Sequence, residues 1–201
     1  MFVNEVEFNK PDARRQALGQ NTRAPLVNPQ GQAIAYSQTG GMIQPTRHPV
    51  QAGEILFRFA AGKTSHARAV TGGWWVAAKE FEKITRFAQA HDIHVAMAAR
   101  VLCCVPPEWS DMGLMVRVKV NKPILAYRGL GNNVDIQRQG GGYVNMEAYN
   151  ETEARRLHQL YIPGLGDYAD KTPDQVMPGA LTPERFWEIT PRQANGGWIY
   201  I

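Results

Sequence analysis

Three separated segments of the sequence carry residue types that could hold an anionic ligand with a planar ring. Arg58 lies in the apolar segment ILFRFA, and an arginine buried there needs an anionic partner. Residues 71–75, TGGWW, place two glycines before two tryptophans, which permits close approach of a flat ligand and ring stacking. Gln159 is a polar residue in the otherwise apolar segment HQLYIPGL, where it could hydrogen-bond a ribose hydroxyl or an amide.

Each of these segments also has a purely structural interpretation. Alternation along a surface strand can point Arg58 into solvent, and the two tryptophans can be core residues that follow a turn. Gln159 can equally be an edge residue of a sheet. The residue types leave both interpretations open for all three segments.

The common motifs of catalysis and cofactor binding are missing from the sequence. GKT at residues 62–64 lacks the first glycine of a phosphate-binding loop, and the glycine-rich residues 128–143 do not form G-x-G-x-x-G between a strand and a helix. Neither H-E-x-x-H nor G-x-S-x-G occurs. His91 and His94 have a spacing that suits a metal pair on a helix, but no carboxylate cluster completes the site. We therefore expect no metal site and interpret both histidines as part of a loop or helix end.

The set of Arg58, residues 71–75 and Gln159 resembles the ADP-ribosyltransferase superfamily, which includes bacterial ADP-ribosylating toxins and NAD-glycohydrolase toxins. In that family an early-strand arginine holds NAD, a Ser/Thr segment with an aromatic residue shapes the nicotinamide pocket, and a late Glu or Gln contacts the ribose. The resemblance covers residues 55–165 and implies NAD as the substrate, with Arg58 and Gln159 as catalytic residues. It implies NAD-binding roles for Arg58, Thr71, Gly72, Gly73, Trp74 and Trp75.

The sequence departs from the family pattern at two of its three positions. The middle segment is not Ser-Thr-Ser, and the late strand has no E-x-E or Q-x-E, because Gln159 is followed by Leu160 and Tyr161. The missing glutamate favours NAD hydrolysis over modification of a protein. Glu147, in YVNMEAYNE, is the alternative candidate for an acidic catalytic residue. A protein target or an immunity protein is the macromolecular partner that the resemblance implies.

The chemistry that the resemblance implies needs few special groups. Cleavage of the nicotinamide–ribose bond passes through an oxocarbenium-like state, as in glycoside hydrolysis. It requires cationic clamps on the diphosphate, a fixed nicotinamide ring and a polar group near the ribose. No metal, cysteine or histidine is needed, so the absence of their motifs is compatible with this function.

Composition and charge leave two other classes of function open. The chain has 201 residues, a formal net charge of +4 and a pI of about 9.2, which suit a nucleotide or nucleic-acid ligand and equally an ordinary globular protein. Basic residues interleaved with aromatics could form a stacking platform for nucleic acid, namely Arg58, Arg117, Lys119, Arg128 and Arg138. A non-catalytic interaction protein is the other alternative.

The two cysteines and the apolar segments indicate the compartment. Cys103 and Cys104 are adjacent, which excludes a disulfide framework and favours buried thiols in a reducing compartment. No apolar run reaches the roughly 18 residues of a membrane span, and the first residues do not resemble a secretory signal. We therefore expect a cytoplasmic protein that does not enter a membrane, or an effector exported by a route without a signal.

The pattern of the sequence predicts an α+β fold with split antiparallel β-sheets flanked by a few helices, as in ADP-ribosyltransferases. Residues 1–50 are expected to form an irregular N-terminal arm, and residues 51–201 a single α+β domain. Strands are predicted at residues 54–60, 72–76 and 114–120, and helical spacing predicts a helix over residues 77–90. Residues 93–105 form a strand or a buried helix, and Asn150 is predicted to cap a further helix. The elements do not follow strict βαβ order, which favours α+β.

Overall fold

The computed structural model describes residues 1–22, 25–137, 142–148, 152, 156–166 and 173–190. The described helices are α1 (Glu5–Phe8), α2 (Pro11–Ala17), α3 (His66–Ala69), α4 (Ala78–Ala90), α5 (Val95–Leu102) and α6 (Pro173–Val176). The described strands are β1 (Leu26–Val27), β2 (Ala33–Ala35), β3 (Met42–Val50), β4 (Ile55–Ala60), β5 (Trp74–Ala77), β6 (Leu114–Val120), β7 (Ile124–Gly131), β8 (Val134–Gln137), β9 (Tyr143–Met146), β10 (His158–Tyr161) and β11 (Leu181–Glu188).

The predicted α+β class is confirmed, since short helices and antiparallel strands alternate irregularly along one domain. Helix α4 and strands β4, β5 and β6 lie where the spacing of apolar residues predicts them. The ambiguous run at residues 93–105 contains a helix, α5, and the six buried positions of this helix explain why periodicity could not decide. The predicted helix at Asn150 and the residue Arg138 lie outside the described residues.

The main sheet has seven strands in the order β11-β6-β4-β5-β10-β7-β3, and two small two-stranded sheets, β1-β2 and β8-β9, accompany it. All ladders between the described strands are antiparallel. Strands β4, β5 and β10 are neighbours in the centre of the main sheet. These three strands carry Arg58, Trp74 and Gln159, so the sheet brings together residues that are far apart in sequence.

The two faces of the main sheet bury different clusters. One face contains Leu56, Trp75 and Leu160 in the largest cluster of buried apolar residues. On the opposite face, Val76 packs in a second cluster with residues of α4 and α5. Because side chains alternate between faces along a strand, Leu56 and Phe57 fall in different clusters, as do Trp75 and Val76. None of the described helices is long and apolar enough to cross a membrane.

The first 50 residues differ from the expected irregular arm. Helices α1 and α2 pack against the main sheet in a third cluster, which includes Phe8, Ala17 and Tyr127, and β3 forms an edge of the sheet. Asn4 attaches this segment: its Nδ2 donates to the carbonyls of Leu125 and Pro163, and its Oδ1 accepts the Leu125 N–H. The expectation failed because the many Pro, Gly, Asn and Gln residues there hide a short amphipathic segment that only tertiary packing stabilises.

Candidate functional site

A cavity of about 640 Å³ lies beside the central strands β4, β5 and β10 of the main sheet. Its walls come from β4, residues 71–74, β10, the residues after α5 and the residues around the end of α2. The volume falls within the usual range for small-molecule sites. The predicted residues Arg58, Thr71, Gly72, Gly73, Trp74 and Gln159 all line it.

The cavity begins where β4 and β5 separate. Their ladder consists of two residue pairs, Leu56 with Ala77 and Phe57 with Val76. Arg58 lies one residue beyond the last of these pairs. Its guanidinium enters the gap between the two chains, where Nη1 donates to the Ala69 carbonyl at 2.6 Å. The end of the ladder therefore creates the space in which an arginine on a central strand reaches a cavity.

Arg58 has no carboxylate partner among the described residues, and its guanidinium donates to the neutral carbonyl of Ala69. Burial lowers the pKa of Arg58 to about 10, so the side chain remains positively charged at neutral pH. Arg58 is half-buried, and a charge that is partly removed from water with one neutral partner carries a cost in free energy, which an anion in the cavity would offset.

The two glycines of TGGWW make room for protein groups. A Cβ at Gly72 would overlap the Arg58 guanidinium, and a Cβ at Gly73 would lie 2.7 Å from the Tyr161 ring. The Thr71 hydroxyl donates to the Arg68 carbonyl at 3.0 Å, which holds the segment as a tight turn after α3. These residues thus shape the cavity by letting an arginine and a tyrosine approach the backbone closely.

The two tryptophans of the segment face opposite sides of the sheet. Trp74 lines the cavity and packs against Tyr161, with ring centroids 5.2 Å apart and planes at 54°. Trp75 is 1% exposed in the core, and its Nε1 donates to the Gly72 carbonyl at 2.7 Å. Trp75 was included in the predicted NAD-binding set, but its burial leaves Trp74 as the aromatic of this segment that can meet a ligand.

Gln159 faces the cavity from the centre of β10. It is 8% exposed, it pairs with Gly129 of β7 in the ladder, and its Nε2 donates to the Cys103 carbonyl at 3.2 Å. A Cβ at Gly131 would lie 3.0 Å from the same Nε2 atom, so a glycine there provides space for the amide. Gln159 and Arg58 therefore line one cavity although 100 residues separate them in the sequence.

Glu147 does not join this group. It follows β9, it is exposed, and it does not line the cavity, whereas the next residue, Ala148, donates its N–H to Asn133 Oδ1 at 2.8 Å. The acidic catalytic role predicted for Glu147 therefore lacks a geometric basis.

Several cavity residues have no counterpart in the sequence predictions. Arg68 adds a second guanidinium, and Trp109, at 48% exposure, adds a second tryptophan. The segment around the end of α2 contributes Gln16, which accepts the Tyr161 hydroxyl at 2.8 Å. Five side-chain amides line the walls, from Gln16, Gln20, Asn21, Asn132 and Gln159. No sequence signal marked these residues, since polar residues in loops are common everywhere on a surface.

The charge of the cavity has one sign. Its described lining residues include two arginines and no aspartate or glutamate. The adjacent thiols also line it, and burial raises the pKa of Cys104 to about 11, which makes this thiol a poor nucleophile. Among the described residues, no group of His, Cys, Asp and Glu side chains could hold a metal ion.

The basic residues proposed as a nucleic-acid platform are dispersed. Arg117 forms an ion pair with Glu184 at 2.9 Å, and Arg128 forms one with Glu80 at 3.2 Å. Arg58 points into the cavity, and Lys119 is exposed on β6. This arrangement gives the described part of the chain no continuous surface of unpaired cations built from these residues.

The fold and the site define an α+β domain with a cationic, amide-rich cavity at the centre of an antiparallel sheet. No protein-family model matches the sequence, and no curated protein is significantly similar to it. Among solved structures, a chain described as "Rhs1-CT in complex with cognate immunity protein RhsI1" aligns with a TM-score of 0.39 at 13% identity, over 73% of this chain and 83% of that chain. At that level of similarity, the functional argument depends on the residues of this chain.

Proposed function

We propose that the protein binds NAD in this cavity and cleaves the nicotinamide–ribose bond, as an NAD glycohydrolase or an ADP-ribosyltransferase. One observation supports this proposal above all: Arg58, residues 71–74 and Gln159 line the same cavity. A dinucleotide carries a diphosphate, two planar rings and several hydroxyls. Arginines, tryptophans and amides are the complementary groups.

In this proposal, Arg58 and Arg68 attract the diphosphate and Trp74 faces the nicotinamide ring. Gln159 lies near the ribose. Because its Nε2 donates to the Cys103 carbonyl, its Oε1 is the atom available to accept a hydrogen bond from a ribose hydroxyl. That bond strengthens as positive charge develops on the sugar, so it stabilises the oxocarbenium-like state more than the ground state.

The reaction balances without a protein nucleophile. The C–N bond between ribose and nicotinamide breaks, its electron pair neutralises the pyridinium nitrogen, and nicotinamide leaves as a neutral molecule. Water then forms a C–O bond with the ribose carbon and releases a proton, which gives ADP-ribose. In the transferase reaction a nucleophile of an acceptor replaces water. A protein target, or an immunity protein that covers the mouth of the cavity, is the partner that this function implies.

The experiment that tests the proposal measures free nicotinamide after incubation of the purified protein with NAD. The wild type should release it, and Arg58→Ala and Gln159→Ala should each lower the rate at least tenfold or so. Arg117→Ala and Gln89→Ala serve as matched controls, because they remove the same side chains from exposed or ion-paired positions outside the cavity. Absence of nicotinamide release, or equal rates in all four variants, would refute the proposal.

The nucleic-acid alternative has a separate test. A protein that binds nucleic acid through its cations loses affinity steeply as salt rises. Retention on heparin with a steep salt dependence, together with no effect of NAD on tryptophan fluorescence, would favour that alternative.

A further inference from the structure

A cluster of ionisable residues surrounds the buried side chain of Glu80 beside Gln159, outside the cavity. Glu80, in the first turn of α4, has a side chain that is 9% exposed. Its Oε1 accepts Arg128 Nη2 at 3.2 Å, and its Oε2 accepts the His158 backbone N–H at 3.1 Å. Lys83 Nζ lies 3.2 Å from the same carboxylate. We call these four residues the Glu80 cluster.

The carboxylate of Glu80 is ionised in this environment. Burial by itself raises the pKa of Glu80, but the His158 N–H and the Lys83 ammonium together outweigh burial and hold the pKa below its usual value. The His158 ring is also close, with Nδ1 at 3.5 Å from Glu80 Oε1. Burial and the charge of Arg128 lower the pKa of His158, so the ring is neutral at neutral pH.

The cluster holds the segment that leads directly into Gln159. Glu80 binds the backbone N–H of His158, the residue immediately before Gln159. Lys83 donates to the Arg156 carbonyl at 3.1 Å, two residues further back. Arg128 lies on β7, where it pairs with Leu160 in the ladder. Helix α4 therefore fixes the start of β10 from one side while β7 fixes it from the other.

We propose that Glu80 is a positioning residue for Gln159, which sets the place of the Gln159 amide in the cavity without contacting substrate. Glu80 does not line the cavity, so it has no direct route to the ligand. This inference rests on the proposed function for its catalytic consequence. The structural part of the inference is that the position of the Gln159 amide depends on Glu80. This part rests only on the contacts within the Glu80 cluster.

Glu80→Gln is the informative variant because the two side chains have the same shape. The carboxylate faces three donors, from Arg128, Lys83 and the His158 N–H. The glutamine side chain has one acceptor, its oxygen, and one donor group, its NH₂. The NH₂ group therefore faces another donor, and that part of the Glu80 cluster must move.

Glu82→Gln is the matched control: it lies on the same helix, loses the same charge and is exposed. Lys83→Met provides a milder variant, since it removes the bond to the Arg156 carbonyl and the ion pair with Glu80 but keeps the acceptor for the His158 N–H.

The test combines nicotinamide release with NMR of the Gln159 side-chain amide, assigned by its loss in Gln159→Ala. Glu80→Gln should shift the Gln159 amide signals and lower kcat about tenfold to a hundredfold, with KM within about twofold of wild type. In the Gln159→Ala background, the same substitution should cost less than about twofold, because residues that act as a unit are not additive. Lys83→Met should give a smaller change of the same kind.

Two results would overturn the inference. One is a Gln159 amide signal that is unchanged in Glu80→Gln, or that changes equally in Glu82→Gln. The other is a full additional loss of rate when Glu80→Gln is combined with Gln159→Ala, which would indicate general destabilisation. If the wild type releases no nicotinamide, the proposed function fails, and the NMR comparison still decides whether Glu80 positions Gln159.

Discussion

The guanidinium of Arg58 lies against the Cα of Gly72, so closely that a Cβ at position 72 would overlap it. The contact joins β4, which carries the Arg58 cation, to the turn that leads into Trp74 at the start of β5. Position 72 is therefore restricted to glycine by a protein side chain. The same contact connects backbone conformation with anion binding, and it can be tested directly.

Gly72→Ala should weaken NAD binding by about tenfold or more, because the added methyl group displaces the Arg58 guanidinium. Fluorescence titration with NAD measures the affinity. The same substitution in an Arg58→Ala background should have little further effect, since the clash disappears with the guanidinium. An equal loss in both backgrounds would show that Gly72 acts independently of Arg58.

Arg58→Met should abolish NAD binding while leaving the free energy of unfolding equal to that of wild type or about 1 kcal/mol higher. Arg58 is half-buried, desolvation lowers the pKa of its guanidinium to about 10, and an apolar residue of similar length avoids that cost of desolvation. Folding penalises the protonated form, so the cost is full below about pH 10 and disappears as pH rises towards the ordinary arginine value.

Urea unfolding at neutral pH gives the measurement for Arg58→Met, and NAD should raise the stability of the wild type but not of the variant. A loss of more than about 2 kcal/mol in the variant would mean that Arg58 is a structural residue.

Trp109→Ala should raise KM for NAD about tenfold and leave KM for nicotinamide mononucleotide unchanged. Trp109 is half exposed at the cavity wall and packs over Gly40, which suits a platform for the second ring of a dinucleotide. Trp74→Ala should raise KM for both substrates, because Trp74 is assigned to the nicotinamide ring. Trp187→Ala, on β11 outside the cavity, is the control. Equal effects of Trp109→Ala on the two substrates would contradict this assignment.

Asn4→Ala should destabilise the protein by about 2–3 kcal/mol, since it removes three buried hydrogen bonds and leaves the Leu125 N–H without its partner. Asn4 is 2% exposed and binds both β7 and the Pro163 carbonyl just beyond β10. Urea unfolding measures the change, with the exposed Asn9→Ala as control. A variant as stable as the control would show that the N-terminal segment contributes little to the fold.

Elements with a clear period could be predicted from the sequence. The apolar stripe of residues 77–90 predicts α4, and the alternation of residues 114–120 predicts β6, because both patterns depend on neighbours within a few positions. The N-terminal helices α1 and α2 escaped prediction because α1 has four residues and α2 has seven, too few for a periodic signal. They persist because Phe8 and Ala17 are buried against the sheet.

Some residues of the candidate site could be predicted from the sequence. Residue type singled out Arg58, Trp74 and Gln159, because a charge, a ring and an amide stand out in apolar segments. Type alone could not separate Trp74 from Trp75. The separation depends on which face of β5 each residue occupies, and therefore on the pairing of β5 with β10. Residue type also could not exclude Glu147 from the site, because its position outside the cavity depends on the path of β9.

Local spacing was sufficient for the α+β class and for the helix that follows Trp75, since hydrogen bonds within a helix and alternation along a strand involve near neighbours. The common cavity of Arg58 and Gln159 required the whole fold. It exists because β4, β5 and β10 pair side by side, because the ladder between β4 and β5 ends after two residue pairs, and because α4 holds the start of β10 through Glu80. Each of these contacts joins residues distant in the chain, and their free energy depends on packing that no short stretch of sequence contains.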